Sequence, residues 1–405
     1  MNKMLDYLKW RGDIPFSVAP MNEADCYLIS KIGMLDYTGI IERGSDPTSF
    51  REAADKYFTR YGERGSNTVK MSDPYLMPAM QEASRSVRFG DLGLSEYINI
   101  VDPRRTEQFS ALTVTLPNGI NFITFRGTDD NILAWKENFY LSCLDYVNAQ
   151  RDALAYLRYH STLFDGPIML GGHSKGGNLA IYAACTIELS VRERIEAVYA
   201  FDSPGFHDEF YRTPGYKDMS SRIHKFIPKN SLVGTLMDNP DTGVTIVNSE
   251  DFAIAGHSGL TWETCPTGYV TCNELSKSSK VFDTSIDKVL DQMDIVARRE
   301  FIDSLFDILD STGATTITEL TGKGRSAMLS LGLDLIKNAE TKQFLFSVIS
   351  QIARDYVAET QKNLREENRA HRKARDEMRQ AKALLEEKQR SEKKNKNSRK
   401  KLDQS

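Results

Sequence analysis

The chain has 405 residues, more than one compact core usually holds, so one large domain plus an appendage is expected. Apolar residues make up 40% and charged residues 27%, with 19 Phe and 17 Tyr, which excludes wholesale disorder. The net charge of −4 conceals an asymmetry: residues 361–405 carry 16 Lys and Arg against 8 Asp and Glu, and the rest 36 against 48, an acidic body that argues against a nucleic-acid-binding core.

No run approaches 18 consecutive apolar residues, and Met1-Asn2-Lys3-Met4-Leu5-Asp6 leads into Lys9, Arg11 and Asp13 without an apolar signal core. The five cysteines (Cys26, Cys143, Cys185, Cys265, Cys272) form no CxxC pair and fit the reduced thiols of a cytoplasmic protein. Cys265 and Cys272 have no histidine nearby to complete a zinc site, and neither metal nor cofactor is expected.

In chain order, residues 1–105 mix short helical patterns with turn signals, including Gly62-Glu63-Arg64-Gly65-Ser66-Asn67. Residues 111–115 and 120–125 alternate in polarity around Pro117-Asn118-Gly119, a strong hairpin signal. A helical stretch over 147–159 precedes an apolar strand at 167–170, and a small-residue helix over 178–189 leads to a strand at 197–201. Further strands are expected at 222–227 and 244–247. Strands alternating with helices imply a mostly parallel sheet covered on both faces, an α/β fold.

After residue 283 the period becomes helical, with Ile286, Val289, Leu290, Met293 and Val296, then Ile302, Leu305, Phe306 and Leu309. The expected divisions are an α/β domain over 1–283 (an N-terminal elaboration to 105, then the core), a helical extension over 284–350, and a charged helix with a disordered basic tail over 351–405. A last helix over 341–390 would be roughly 75 Å long. Val357, Leu364, His371, Met378 and Leu385 recur every seven residues, but Thr360, Glu367, Ala374 and Ala381 make a poor second seam. A solvated charged helix is favoured over a coiled-coil homodimer. Its basic end offers weak attraction to an anionic membrane surface, and with almost no aromatics it does not suit specific nucleic-acid binding.

The sharpest chemical signal is Gly172-His173-Ser174-Lys175-Gly176. An apolar strand feeds into it and a helix follows, the context in which G-x-S-x-G raises a serine hydroxyl above a sheet edge on a tight turn. Flanking glycines are needed because neighbouring backbone comes too close for a Cβ. The helix N-terminus offers free N–H groups, Lys175 first, to a developing oxyanion. Upstream, Phe125-Arg126-Gly127-Thr128-Asp129-Asp130 ends a strand, and Thr128 is placed by chain order to give a second donor through its N–H and hydroxyl.

The pair Phe125-Arg126-Gly127-Thr128-Asp129-Asp130 and Gly171-Gly172-His173-Ser174-Lys175-Gly176-Gly177, with Trp135, resembles the class-3 lipase branch of the α/β-hydrolases. Tyr7-Leu8-Lys9-Trp10-Arg11-Gly12-Asp13, Asn22-Glu23-Ala24-Asp25 and Phe201-Asp202-Ser203-Pro204-Gly205-Phe206 narrow this to a resemblance to a bacterial Mbeg-like family, over residues 3–275. The resemblance implies a Ser-His-acid hydrolase. Lys175 stands where class-3 lipases commonly have leucine and Asn178 where they often have alanine, so polar atoms are expected near the elbow, an unusual setting for a lipid.

A serine nucleophile needs a base, which this class places last in chain order. Only His257 and His371 follow the last sheet strand, and His371 sits in the charged tail, so His257 is the candidate. His173 is expected to point away from the cleft and pack. The acid stays open. Its usual place, Pro228-Lys229-Asn230-Ser231, holds no carboxylate; Asp202 at a strand end is favoured, Asp238 is the alternative, and a dyad oriented by Asn230 or Ser231 is a third. The expected function is a serine hydrolase cleaving an ester or thioester of a small-molecule or lipid-like acyl group. The alternative is a catalytically silent hydrolase fold used as a binding or scaffold module.

Overall fold

The structure is a computed structural model. It describes residues 1–62, 65, 73–128, 132–237, 243–251, 256–277, 279–280, 294–311 and 313. All of these belong to one compact unit, Met1–Phe344. The expected boundaries at 283 and 350, the heptad positions and the basic tail lie outside the described residues.

Among the described residues, eight strands form one sheet whose spatial order is the chain order. Strands β1 (Thr48–Ser49), β2 (Gly93–Asp102), β3 (Glu107–Thr115) and β4 (Asn121–Phe125) pair antiparallel. From β4 onward, β5 (Ile168–His173), β6 (Ile195–Phe201), β7 (Ile223–Pro228) and β8 (Val244–Val247) pair parallel. The expected hairpin joins β3 to β4, and its turn passes through Gly119 at φ 81°, where an L side chain would be strained. Strand β2 corrects the expectation of short helices and turns over residues 1–105. Its register shifts between Ser95 and Ile98, with Glu96 at φ 56°, and that irregularity breaks the alternation by which a strand is recognised.

Each parallel connection steps to the next strand in the same direction. With right-handed crossovers this places the connecting helices on one face. There α6 (Asn148–Leu163) and α7 (Lys175–Thr186) pack on Ile123, Phe125, Leu170 and Val198. Phe122, one residue out of phase in β4, belongs instead to a core built with α1 (Met4–Arg11), α2 (Glu23–Ile32), α3 (Phe50–Tyr61) and α4 (Leu76–Arg85). The N-terminal segment is therefore the second cover of the sheet. Beyond the sheet, a helix at Ile295–Ser311 turns Ile302, Phe306 and Leu309 inward, while Val296 is exposed.

A buried ion pair locks the N-terminal layer. Arg88 donates from Nε to Asp25 Oδ1 at 2.8 Å and from Nη1 to the carbonyls of Ile14 and Ala19. Tyr7 donates 2.7 Å to the same Asp25 oxygen, so α1, α2 and the segment after α4 meet at one carboxylate. Both charged side chains are fully buried. Arg88→Met keeps the length but leaves the carboxylate without its cation, and is expected to cost about 3–5 kcal/mol in urea unfolding. A loss below about 1 kcal/mol would show that the pair does not hold the layer.

Candidate active site

Strand β5 ends at His173 and α7 begins at Lys175, so Ser174 alone makes the turn, at φ 58° and ψ −131°. A non-glycine residue keeps such a conformation only when the surroundings over-determine it. They do here: a Cβ on Gly172 would lie 2.3 Å from the Gly176 carbonyl carbon, and one on Gly176 would lie 2.1 Å from Phe125 O. The Ser174 N–H is tied to Phe201 O at 2.9 Å, which sets the serine beside the end of β6.

Asp202, the next residue after that strand, is 1% exposed and also has positive φ, 42°. A buried carboxylate needs donors, and three converge on it. His257 Nδ1 lies 2.6 Å from Oδ2, while Ser231 Oγ and the Gly234 N–H donate to Oδ1 at 2.5 and 2.9 Å. Ser231 thus acts on the carboxylate, and Asn230 holds the carbonyls of Ser249 and Asp251; neither orients the imidazole. Asp238 lies outside the described residues. The hydroxyl of Ser174 and the ring of His257 share one sheet edge without a hydrogen bond between these two described side chains. The ring of His173, adjoining Ser174, lies 4.3 Å from that of His257, centroid to centroid.

His173 is buried, as packing would have it, yet it faces the His257 loop. Its Nε2 donates 2.6 Å to the His257 carbonyl, and its Nδ1 lies 3.3 Å from Lys31 Nζ on α2. Burial, followed by the charges of Lys31 and His257, pushes its pKa well below the ordinary histidine value. The loop has further fastenings: Trp262 Nε1 donates to Gly256 O at 2.8 Å, the Gly259 N–H to Tyr27 Oη at 2.7 Å, and Ser258 Oγ to Asp73 Oδ2. Nothing in the pattern around His257 announces Lys31 or Asp73. The available signal is a lysine inside the otherwise apolar end of α2.

Among the described residues, the Lys175 N–H at the start of α7 has no backbone partner. Thr128 follows Gly127, whose own Cβ would strike His173 O at 2.5 Å, so the Thr128 loop runs against the elbow. Asn138 Nδ2 donates 2.6 Å to Thr128 Oγ1, leaving the hydroxyl proton of Thr128 free to point elsewhere. The expectation of polar side chains beside the elbow is corrected. Lys175 turns away from the cleft and is fully buried, its Nζ 2.8 Å from Glu137 Oε2 and 2.7 Å from Gln108 O. Asn178 accepts from Gln150 Nε2 at 2.8 Å and donates to Gly205 O at 2.9 Å. Both polar groups are spent on internal contacts.

Glu137 lies on α5 (Ile132–Tyr140), the helix after the Thr128 loop. The outer side of α5 meets the Ile295–Ser311 helix: Tyr140 Oη donates to Asp303, Lys136 pairs with Asp303 at 3.3 Å, and Phe139 packs edge-on to Phe306 at 5.7 Å. Among the described residues no group of three or more His, Cys, Asp or Glu is arranged to hold a metal ion, and no helix is long and apolar enough to cross a membrane.

The family model described as Mbeg1-like matches residues 83–307, more than half of the chain. The chain belongs to the Mbeg1-like family. Its large, mostly parallel sheet with flanking helices and a strand–serine–helix turn fits the α/β-hydrolase fold. Among solved structures this Mbeg1-like chain is similar to M37 lipase (15% identity over 45% of this chain and 67% of that one, TM-score 0.30). It is also similar to the Rhizomucor miehei lipase propeptide complex (12%, 74% and 92%, TM-score 0.32). The lipase from Rhizopus microsporus var. chinensis is a third such neighbour (13%, 66% and 94%, TM-score 0.29). No curated protein matches it in sequence.

The Lys175–Glu137 pair makes an asymmetric stability prediction. Glu137→Leu strands the ammonium and the N–H groups of Gln108 and Ala149, and is expected to cost about 3–5 kcal/mol. Lys175→Met should cost clearly less, because the carboxylate keeps those two donors. Equal losses in urea unfolding would count against this account.

Proposed function

We propose that this protein is a serine hydrolase cleaving a carboxylic ester or thioester. The observation that carries the reading is the 2.6 Å contact between His257 Nδ1 and the buried Asp202, beside a serine on a strained strand-to-helix turn. Asp202 holds the imidazole with its proton on Nδ1, which leaves Nε2 basic and available to Ser174. Ser174 Oγ attacks the acyl carbonyl while His257 Nε2 takes its proton. The tetrahedral oxyanion is received by the N–H groups of Lys175 and Thr128, with the Thr128 hydroxyl, held by Asn138, as a further donor. His257 then returns the proton to the leaving oxygen or sulfur, and the acyl-serine is hydrolysed by a water that His257 deprotonates.

The side chain of His257 is 21% exposed, and the looser approach of base to nucleophile before substrate binds is usual for such sites. A preference for apolar acyl chains fits the inward turn of Lys175 and Asn178, which leaves neither charge nor amide at the elbow. A fluorophosphonate probe tests the assignment. Wild-type protein is expected to label, and Ser174→Ala and His257→Ala to remove labelling and ester turnover while staying folded. Asp202→Asn should lower kcat by about 10³–10⁴-fold, because an amide favours the wrong tautomer of the base. Turnover retained by Ser174→Ala would overturn the assignment, and a folded wild type that does not label would favour a binding module.

A further inference from the structure

We propose that Lys31 and His173 are positioning residues for the base, Lys31 selecting the one tautomer of His173 that can fasten the His257 loop. The inference rests on the hydrolase reading above for its effect on turnover, and on contacts alone for its mechanism. His173 makes two polar contacts with its two ring nitrogens. A carbonyl oxygen can only accept, so Nε2, 2.6 Å from His257 O, must carry a proton. An ammonium can only donate, so Nδ1, 3.3 Å from Lys31 Nζ, must be bare. The two contacts together permit a single species, the neutral Nε2–H tautomer. The His257 carbonyl excludes the neutral Nδ1–H tautomer, and the Lys31 ammonium, which opposes any proton on Nδ1, favours the same tautomer before the loop docks and excludes the doubly protonated ring.

Lys31 is itself held. It is 3% exposed, lies 3.8 Å from Asp73 Oδ2 and sits over the Tyr27 ring at 5.4 Å. Asp73 accepts in turn from Ser258 Oγ, the residue after His257. The groups facing His173 are thus Lys31 and Tyr27 from α2, Asp73 behind Lys31, and His257 from its own loop. A wrong tautomer would set a lone pair against the His257 carbonyl and release this fastening of the loop. The imidazole would keep its acid but lose its place over the serine. A displacement of about 1 Å at such a point costs on the order of 10²-fold in rate.

The test is a double-mutant comparison with a spectroscopic arm. Lys31→Met is expected to lower kcat for a small activated ester by about 10–100-fold, with KM within about twofold. His173→Gln offers a similarly placed N–H donor with no tautomer to choose, so in that background Lys31→Met should add less than about twofold. An equal loss in both backgrounds would mean that Lys31 matters only as packing, and would overturn the proposal. Histidine-selective ¹⁵N spectra, with His173→Gln identifying the resonance, should show wild-type His173 as the neutral Nε2–H form at neutral pH, and a mixed or titrating ring in Lys31→Met. A wild-type ring protonated on Nδ1 would overturn it without reference to activity. Should the wild type prove inert to fluorophosphonate, the hydrolase reading fails while the tautomer measurement still decides the role of Lys31.

Discussion

A buried carboxylate cannot be left without donors, and Asp202 organises the site for that reason. Its three partners come from two loops: Ser231 and Gly234 from the loop after β7, and His257 from the loop after β8. Each of those loops is irregular, and each would be free to wander if the charge did not draw it in. The carboxylate stands one residue beyond Phe201, whose carbonyl accepts from the Ser174 N–H. Sheet register therefore carries the position of the serine to the acid, and the acid carries it to the histidine.

The loop that carries His257 is also held by a different part of the chain. Lys31 and Tyr27 on α2, and Asp73 before α4, reach it through His173, Gly259 and Ser258. The N-terminal layer thus has two functions that share the same residues. It covers the face of the sheet that the crossover helices leave open, and it anchors the His257 loop. A fold without this layer would expose Phe122, Leu112 and Val114 to water and free the loop as well.

The Lys175–Glu137 pair makes a third connection. A lysine directly after the serine, read from sequence, suggests a charge at the mouth of the site. In the structure the direction of the α7 start points it inward, where it joins α7, α5 and β3 through Glu137 and Gln108. The same α5 carries Asn138 to Thr128 and meets the Ile295–Ser311 helix on its outer side. The polar groups that depart from the lipase pattern brace the start of α7 and the Thr128 segment from within the fold.

Much of this was legible in one dimension because it is local. The strand-to-helix turn around Ser174, its glycines and the Asn118-Gly119 hairpin follow from steric limits on neighbouring residues, as does the alternation of strands and helices that predicts a covered parallel sheet. Chain order leaves His257 and His371, and the charged tail around His371 leaves His257 as the candidate. Strand β2 is hidden because a register shift at Glu96 erases its periodicity, and although a cover on both faces is expected, the short helices α1–α4 carry no signal that they supply the second one. What only the tertiary structure decided is which groups meet across long separations. Asp202 reaches His257 55 residues away, and Lys31 reaches His173 142 residues away. Such contacts depend on sheet register and burial, and a buried charge finds its partner by solvation energy, which leaves no spacing in the sequence to read.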